Sequence, residues 1–305
     1  MNIAVITPIQ HIHNALSLLQ TKGNVFLLET STKSEVRKLL IDKNIDTILC
    51  NPNQQQFIIV EELLKDTKVA LINTCSTGLN HIDVKYCNEN AITIYSLKTD
   101  FELLNELPST SELAFGLLLD LMRTITNSNN SVKSTLQWDY VPFIGHQLKD
   151  FKVGIVGYGR LGKMMAKYCK AFDAKVYIYD PYSEASNVNS IETLFDICDA
   201  VSLHVHVSED TKKLINADLL SRNVKFLVNT SRGEIVDELA VIEALQTSKL
   251  KGYAADVIEH EFEDISNSPF FKLDISKENI IFTPHIGGMT KEGQEKAFIW
   301  AINKF

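Results

Sequence analysis

Short apolar, β-branched runs alternate with stretches of helical character over the first hundred residues, break off, and resume at Phe151. NIAVIT, NVFLLE, DTILCN, VALINTCS and ITIYSL read as strands, with helices between them over residues 34–43 and 60–66. The second series is KVGIVG, KVYIYD, AVSLHV, KFLVNT, GYAADVI and NIIFTP, with helices beginning near Leu161, Ile191, Asn216 and Asp237. Parallel strands need a crossover, and a helical crossover covers one face of the sheet, so the pattern predicts two parallel sheets clothed on both sides. Between the series, STSELAFGLLLDLMRTI predicts one long, largely buried helix with Ser109 or Thr110 as its N-cap. SNNSVKSTLQWDYVPFIGHQ predicts the end of that helix, a turn and a loop. The final TKEGQEKAFIWAINKF is an amphipathic helix that extends the second domain or crosses back to the first. The expected domains are residues 1–100, with 290–305 as a candidate completion, and residues 101–289, long helix included.

A chain of 305 residues has room for two such domains. Hydrophobic residues at 45% and charged residues at 22% are the balance of a soluble globular protein. A net charge of −8 argues against nucleic acid and anionic membrane as partners, which select for Lys and Arg. It leaves room for a small anion held by one or two local cations. The N-terminal MNIAVITPIQ lacks the basic and long apolar regions of a secretory signal, and no apolar run reaches membrane-spanning length. Cys50, Cys75, Cys87, Cys169 and Cys198 are scattered without CxxC spacing, as buried thiols in a reducing compartment would be. The expected location is the cytoplasm.

KVGIVGYGRLGK places Gly157, Gly159 and Gly162 in GxGxxG spacing. That spacing alone is weak. Here a strand precedes it, a helix follows, and the next strand ends at Asp180, eighteen residues past Gly162. Each part has a physical role. Gly157 allows the tight turn, Gly159 lets the backbone approach a pyrophosphate, and Gly162 lets helix and strand pack closely. The helix N-terminus offers free N–H groups to the phosphates. Asp180 would accept from the adenosine ribose hydroxyls and repel a 2′-phosphate, which favours NAD over NADP. The expected fold is therefore α/β with two Rossmann-like domains, one flavodoxin-like and one NAD-binding.

Nicotinamide chemistry on an alcohol needs a group to take its proton, and an anionic substrate needs a fixed cation. Three segments offer them, each just past an expected strand, where ligands bind to open parallel sheets. FLVNTSRGEIVDE places Arg232 in a turn, and a guanidinium can fork onto a carboxylate. GYAADVIEHEFED offers Glu259, Glu261 and Glu263. FTPHIGG offers His285. A carboxylate paired with a histidine orients the ring and favours its charged form. Spacing alone leaves the three glutamates open.

These motifs resemble the D-isomer-specific 2-hydroxyacid dehydrogenase family, and the likeness covers nearly the whole chain. TGLNHID resembles the family's substrate loop, STSELAFGLLLDLMR its long interdomain helix, HVHVSEDTKKLIN a post-strand loop, and NTSRGEIVDE, AADVIEHE and TPHIGG its catalytic segments. The resemblance implies Arg232, Glu261 and His285 as the catalytic set, choosing Glu261 because it lies five residues beyond Asp256. It implies that Asp256 faces the nicotinamide carboxamide, that Arg160, Leu161, Thr230 and Ser231 line the cofactor, and that Gly287 and Gly288 leave it room. Tyr158 and His204 are counted with the cofactor residues. Ser76, Thr77 and Gly78 are counted with the substrate, whose carboxylate would meet backbone N–H groups. The implied activity is NAD-dependent interconversion of a D-2-hydroxy acid and its 2-keto acid, first of all 3-phosphoglycerate dehydrogenase-like, with glyoxylate or hydroxypyruvate reduction as the alternative. A non-catalytic NAD(H)-binding regulator is the reading from another class. A homodimer through the long helix is the expected assembly.

The chain departs from the family pattern at His206, where proline is common, and at Ser76, where glycine is. No sequence remains for a longer returning tail or a small regulatory domain, so serine feedback is not expected. His204 and His206 alternate along a strand end, but no third ligand stands at suitable spacing and no metal is expected. Trp138 reads as a residue of a subunit contact or a core edge.

Overall fold

The computed structural model describes residues 1–28, 32–52, 57–275 and 278–305; Glu29, which closes the NVFLLE run, lies outside them. The chain forms two compact units, Met1–Leu107 with Gly288–Phe305, and Pro108–Gly287.

The first unit contains strands β1 (Asn2–Val5), β2 (Asn24–Leu27), β3 (Thr47–Cys50), β4 (Leu71–Thr74) and β5 (Thr93–Ser96). They form one parallel sheet in the order β2-β1-β3-β4-β5. This is the doubly wound flavodoxin-like order, whose crevice lies where the winding reverses beside β1. Helices α2 (Lys33–Asp42), α3 (Glu61–Leu64) and α4 (Val84–Glu89) supply Val36, Leu40, Leu63, Leu64 and Cys87 to the core on one face. Thr32 and Glu35 cap α2 reciprocally, which fixes its start. The other face is covered by α1 (Ala15–Gln20), α5 (Phe101–Asn105) and α12 (Lys291–Asn303). The amphipathic helix at the end of the sequence thus returns to the first unit. Phe298, Ala301 and Ile302 are fully buried there, and Asn73 of β4 donates to the Ala301 carbonyl at 2.6 Å.

The second unit begins with α6 (Ser109–Arg123) and α7 (Ile125–Thr135). Ser109 and Thr110 lie inside the first turn of α6. Pro108 is the N-cap, without a side-chain cap bond, so the expected serine or threonine cap is absent. Thr124 takes a left-handed conformation (φ 50°) that ends α6, and the Asp120 carboxylate accepts from the Thr126 N–H and hydroxyl to start α7. Where the sequence suggested that the long helix runs on before a turn and a loop, it breaks at Thr124 and a second helix follows. None of its residues is buried.

Strands β6 (Lys152–Val156), β7 (Lys175–Tyr179), β8 (Ala200–Leu203), β9 (Phe226–Asn229), β10 (Gly252–Ala255) and β11 (Ile280–Phe282) form a parallel sheet in the order β11-β10-β9-β8-β6-β7. Its faces are covered by α6, α8 (Arg160–Ala171), α9 (Ile191–Ile197), α10 (Ala217–Leu220) and α11 (Glu238–Gln246). Register matters for function. Val156 pairs with Tyr179 and Leu203, Leu203 with Asn229, Asn229 with Ala255, and Ala255 with Phe282. All six strands therefore end in one row, and Gly157, Asp180, His204, Thr230, Asp256 and Thr283 leave the sheet along one edge.

Candidate active site

The turn after β6 sits at the reversal of winding, between β7 and β8. Gly157 has φ +88°, and a Cβ there would stand 2.5 Å from the His204 carbonyl oxygen, so only glycine lets the two strand ends touch. A Cβ on Gly162 would stand 2.1 Å from the Gly157 oxygen, which seats α8 on the turn. A Cβ on Gly159 meets no atom within 4 Å. That glycine faces open space at the N-terminus of α8, where Arg160 and Leu161 follow; the Leu161 carbonyl accepts from the Ser111 hydroxyl at 3.0 Å. Asp180 accepts from the Tyr158 N–H at 2.7 Å and the Tyr182 N–H at 2.9 Å, tying the end of β7 to the glycine turn.

Two polar atoms along the same edge of the sheet are buried without a hydrogen-bond partner, His204 Nδ1 and Thr230 Oγ1. The other ring nitrogen of His204 lies 2.9 Å from Ser202 Oγ, and burial pushes the imidazole down to about 4, so it is neutral at pH 7. His206 lies past the end of β8 and is exposed, so the two histidines do not share a strand face. Open space over Gly159, the N-terminus of α8 beside it and two orphaned polar atoms fit a dinucleotide.

Asn229, fully buried at the end of β9, shapes the next turn. Its Oδ1 accepts from Ser231 N at 3.0 Å and its Nδ2 donates to Arg232 O at 2.9 Å. The Ser231 hydroxyl donates to Leu203 O at 2.6 Å, and Arg232 Nη1 donates to Ser231 O at 2.6 Å.

Asp256, after β10, grips the turn after β11. Oδ1 accepts from the Thr283 hydroxyl at 2.5 Å and Ile286 N at 2.8 Å, and Oδ2 accepts from Gly287 N at 2.8 Å. Burial raises its carboxyl above the ordinary aspartate value, with these bonds pulling the other way. His285 N donates to the Asp256 carbonyl at 2.9 Å, and His285 itself is left-handed, φ 54°. Held so, His285 Nδ1 lies 2.9 Å from Glu261 Oε2. The two side chains are 24% and 14% exposed, shielded enough for the pair to be weakly screened yet open to a small ligand. Of the other two acids the sequence left open, Glu263 lies 3.2 Å from His260 Nδ1, and the Glu259 main chain is held by Glu238.

In the first unit, Ser76, Thr77 and Gly78 follow β4. Ser76 Oγ donates to the Gly78 carbonyl at 2.8 Å and meets Thr74 Oγ1 at 2.9 Å, which in turn meets His81 Nε2 at 2.9 Å. Gly288 belongs to this unit, where its carbonyl accepts from Gln294 Nε2 at 3.3 Å. Sequence reasoning missed His81, Asn229 and Glu238. Each is a polar residue beside an apolar run, and only the buried network around it reveals what it holds.

Fold and site together define a dinucleotide-binding α/β protein with a histidine–carboxylate pair. The description "D-isomer specific 2-hydroxyacid dehydrogenase, NAD binding domain" matches residues 115–287. D-3-phosphoglycerate dehydrogenase of Methanocaldococcus jannaschii is 29% identical, covering 93% of this chain and 53% of that protein. Hydroxypyruvate reductase of Thermotoga maritima is 30% identical, covering 95% of this chain and 93% of that protein. The fold also matches D-lactate dehydrogenase from Aquifex aeolicus, solved with NAD and lactic acid, with a TM-score of 0.80 at 24% identity, over 100% of this chain and 94% of that one. The chain belongs to the D-isomer specific 2-hydroxyacid dehydrogenase family, and its second unit is an NAD-binding domain. It spans about half the length of the phosphoglycerate dehydrogenases it matches first, 53%, 45% and 58%.

Proposed function

We propose that this chain interconverts a small D-2-hydroxy acid and its 2-keto acid with NAD. The observation that carries this reading is the 2.9 Å bond between His285 and Glu261 in an NAD-binding domain. The turn from Gly157 to Gly162 and the start of α8 would hold the pyrophosphate, with Tyr158 at its centre and Asp180 on the ribose hydroxyls. Arg160, Leu161, His204, Thr230, Ser231 and Asp256 complete the cofactor set, and Gly287 and Gly288 leave it space. NAD supplies the hydride acceptor when bound, and NADH the donor. Arg232 binds the substrate carboxylate and the adjacent oxygen by paired charge-assisted hydrogen bonds. In reduction, the His285 imidazolium gives its Nε2 proton to the carbonyl oxygen as C2 receives hydride. In oxidation, the neutral ring takes the hydroxyl proton. Glu261 accepts from Nδ1–H and fixes the tautomer and orientation of the ring. Ser76, Thr77 and Gly78 would offer their loop to the carboxylate.

The resemblance puts oxidation of 3-phosphoglycerate first. Glyoxylate or hydroxypyruvate reduction is favoured by the match along nearly the full length of the Thermotoga protein. It is also favoured by the neutral side chains Thr7, Asn51 and Thr74 buried at the carboxyl edge of the first sheet, where a phosphate would call for cations. The regulator reading loses weight because Arg232, Glu261 and His285 all stand in the second unit. A cytoplasmic homodimer completes the proposal; Trp138, 94% exposed, is no core-edge residue and suits a subunit contact.

The test is a screen of 2-keto acids, phosphorylated and not, with NADH and NADPH separately. Turnover with NADH on one of them supports the enzyme. NADH binding with no turnover on any acid gives the regulator reading instead.

A further inference from the structure

Glu238 opens α11 and is 3% exposed. Glutamate is seldom buried so deeply unless it is paired, yet no ion pair to it occurs among the described residues. Its two oxygens go instead to the two ends of one loop. Oε1 accepts from the Glu259 N–H at 2.9 Å, and Oε2 accepts from the Ser268 hydroxyl at 2.6 Å; Ser268 is fully buried. Glu261 lies between those two anchors. The same carboxylate comes from the segment that begins at Arg232. One residue past that arginine, a Cβ on Gly233 would stand 2.0 Å from the Ile258 carbonyl carbon, so the two backbones are in direct contact.

We propose that Glu238 is a positioning residue, registering the loop that carries Glu261 against the turn that carries Arg232. The inference rests on Glu261 being the partner of His285 in catalysis. Two acceptors are needed because the loop has two ends to hold. A carboxylate supplies both in one side chain, and the Gly233 contact sets the distance between turn and loop. Displacement of Glu261 by even a fraction of an ångström weakens its bond to His285 Nδ1, and misplacement of about 1 Å can cost ~10²-fold in rate. The titratable groups that interact with the clamp are Glu259 and His260 on the held loop and Tyr253 of β10.

The experiment uses the whole chain and compares wild type, Glu238→Gln, Glu238→Ala, Ser268→Ala, Glu261→Gln and the Glu238→Ala/Glu261→Gln double variant. NADH affinity is read by fluorescence, and kcat and KM for 2-keto acid reduction by steady-state rates. In Glu238→Ala we expect kcat to fall by about 10- to 100-fold while KM for the 2-keto acid holds and NADH affinity stays within about twofold. Glu238→Gln, which keeps an acceptor for Ser268 but offers Glu259 N–H an amide, falls between. The double variant should be no slower than Glu261→Gln, because the two losses pass through one residue. A loss carried by KM with kcat unchanged, or losses that multiply in the double variant, would overturn the proposal. If Glu238→Ala does not fold, Ser268→Ala, which removes one hydroxyl, takes its place in the same comparison. Wild-type protein without turnover sinks the enzyme reading itself, a result separate from any of these.

Discussion

At the scale of the residue, His285 depends on its main chain. Its left-handed φ of 54° and its N–H bond to the Asp256 carbonyl turn the ring toward Glu261. Those bonds survive removal of the imidazole. His285→Ala should therefore keep NADH affinity near normal while kcat falls by ~10²–10⁴-fold, the usual contribution of an acid/base group. Steady-state rates beside a fluorescence titration check this, and unchanged turnover would remove His285 from the mechanism. His204 carries a stability prediction. Its folded value, about 4, lies below the 6.5 of an unfolded histidine. The unfolded chain thus takes up a proton first as pH falls, so stability is full above about 6.5 and drains away toward 4. Melting temperature against pH should fall less steeply in His204→Gln over that window. Parallel curves would mean that the buried ring is not the titrating group. The sequence made Arg232 and His285 visible because their spacing from strand ends is a local property; spacing left Glu259, Glu261 and Glu263 open, and the family resemblance pointed to Glu261. Asn229 and Glu238 were invisible because a buried acceptor is recognised by its donors, which lie elsewhere in the chain.

At the scale of the element, the glycine turn separates what the protein needs from what a cofactor needs. Gly159→Ala adds a Cβ that meets no protein atom and has an ordinary negative φ, −71°, so the melting temperature should hardly change. NADH affinity should weaken, by at least about tenfold if the backbone must lie against pyrophosphate. Gly157→Ala strikes the His204 carbonyl and strains a positive φ, so it should lower the melting temperature by itself. Equal effects of the two on stability would refute this division. The strands were legible because buried parallel strands are continuous apolar runs; the eleven among the described residues all fall inside the runs read from sequence. The break at Thr124 was not legible, because it rests on Asp120 turning to receive Thr126, a side-chain decision that leaves apolar periodicity untouched. The row in which β6 to β11 end was not legible either, since register follows from pairing partners that are far apart in sequence.

At the scale of the whole molecule, one feature stands outside the cores and another completes one. The stretch after α7 exposes Leu136, Trp138, Tyr140, Val141 and Ile144 at 88%, 94%, 77%, 60% and 74%. So much adjacent apolar surface suits a partner surface, and the proposed homodimer provides one. The double variant Leu136→Ser/Trp138→Ser should sediment as a monomer where wild type sediments as a dimer. Wild type sedimenting as a monomer at micromolar concentration would reject the assembly. The second feature is α12, whose Phe298, Ala301 and Ile302 complete a core begun by β1 and α1. During synthesis that helix leaves the ribosome after every residue of the second unit. The NAD-binding unit has all its parts while the first unit still shows water a bare apolar face. Nascent chains of this protein therefore pass through a stage in which one half is finished and the other is adhesive, the moment at which a chaperone would have most to hold.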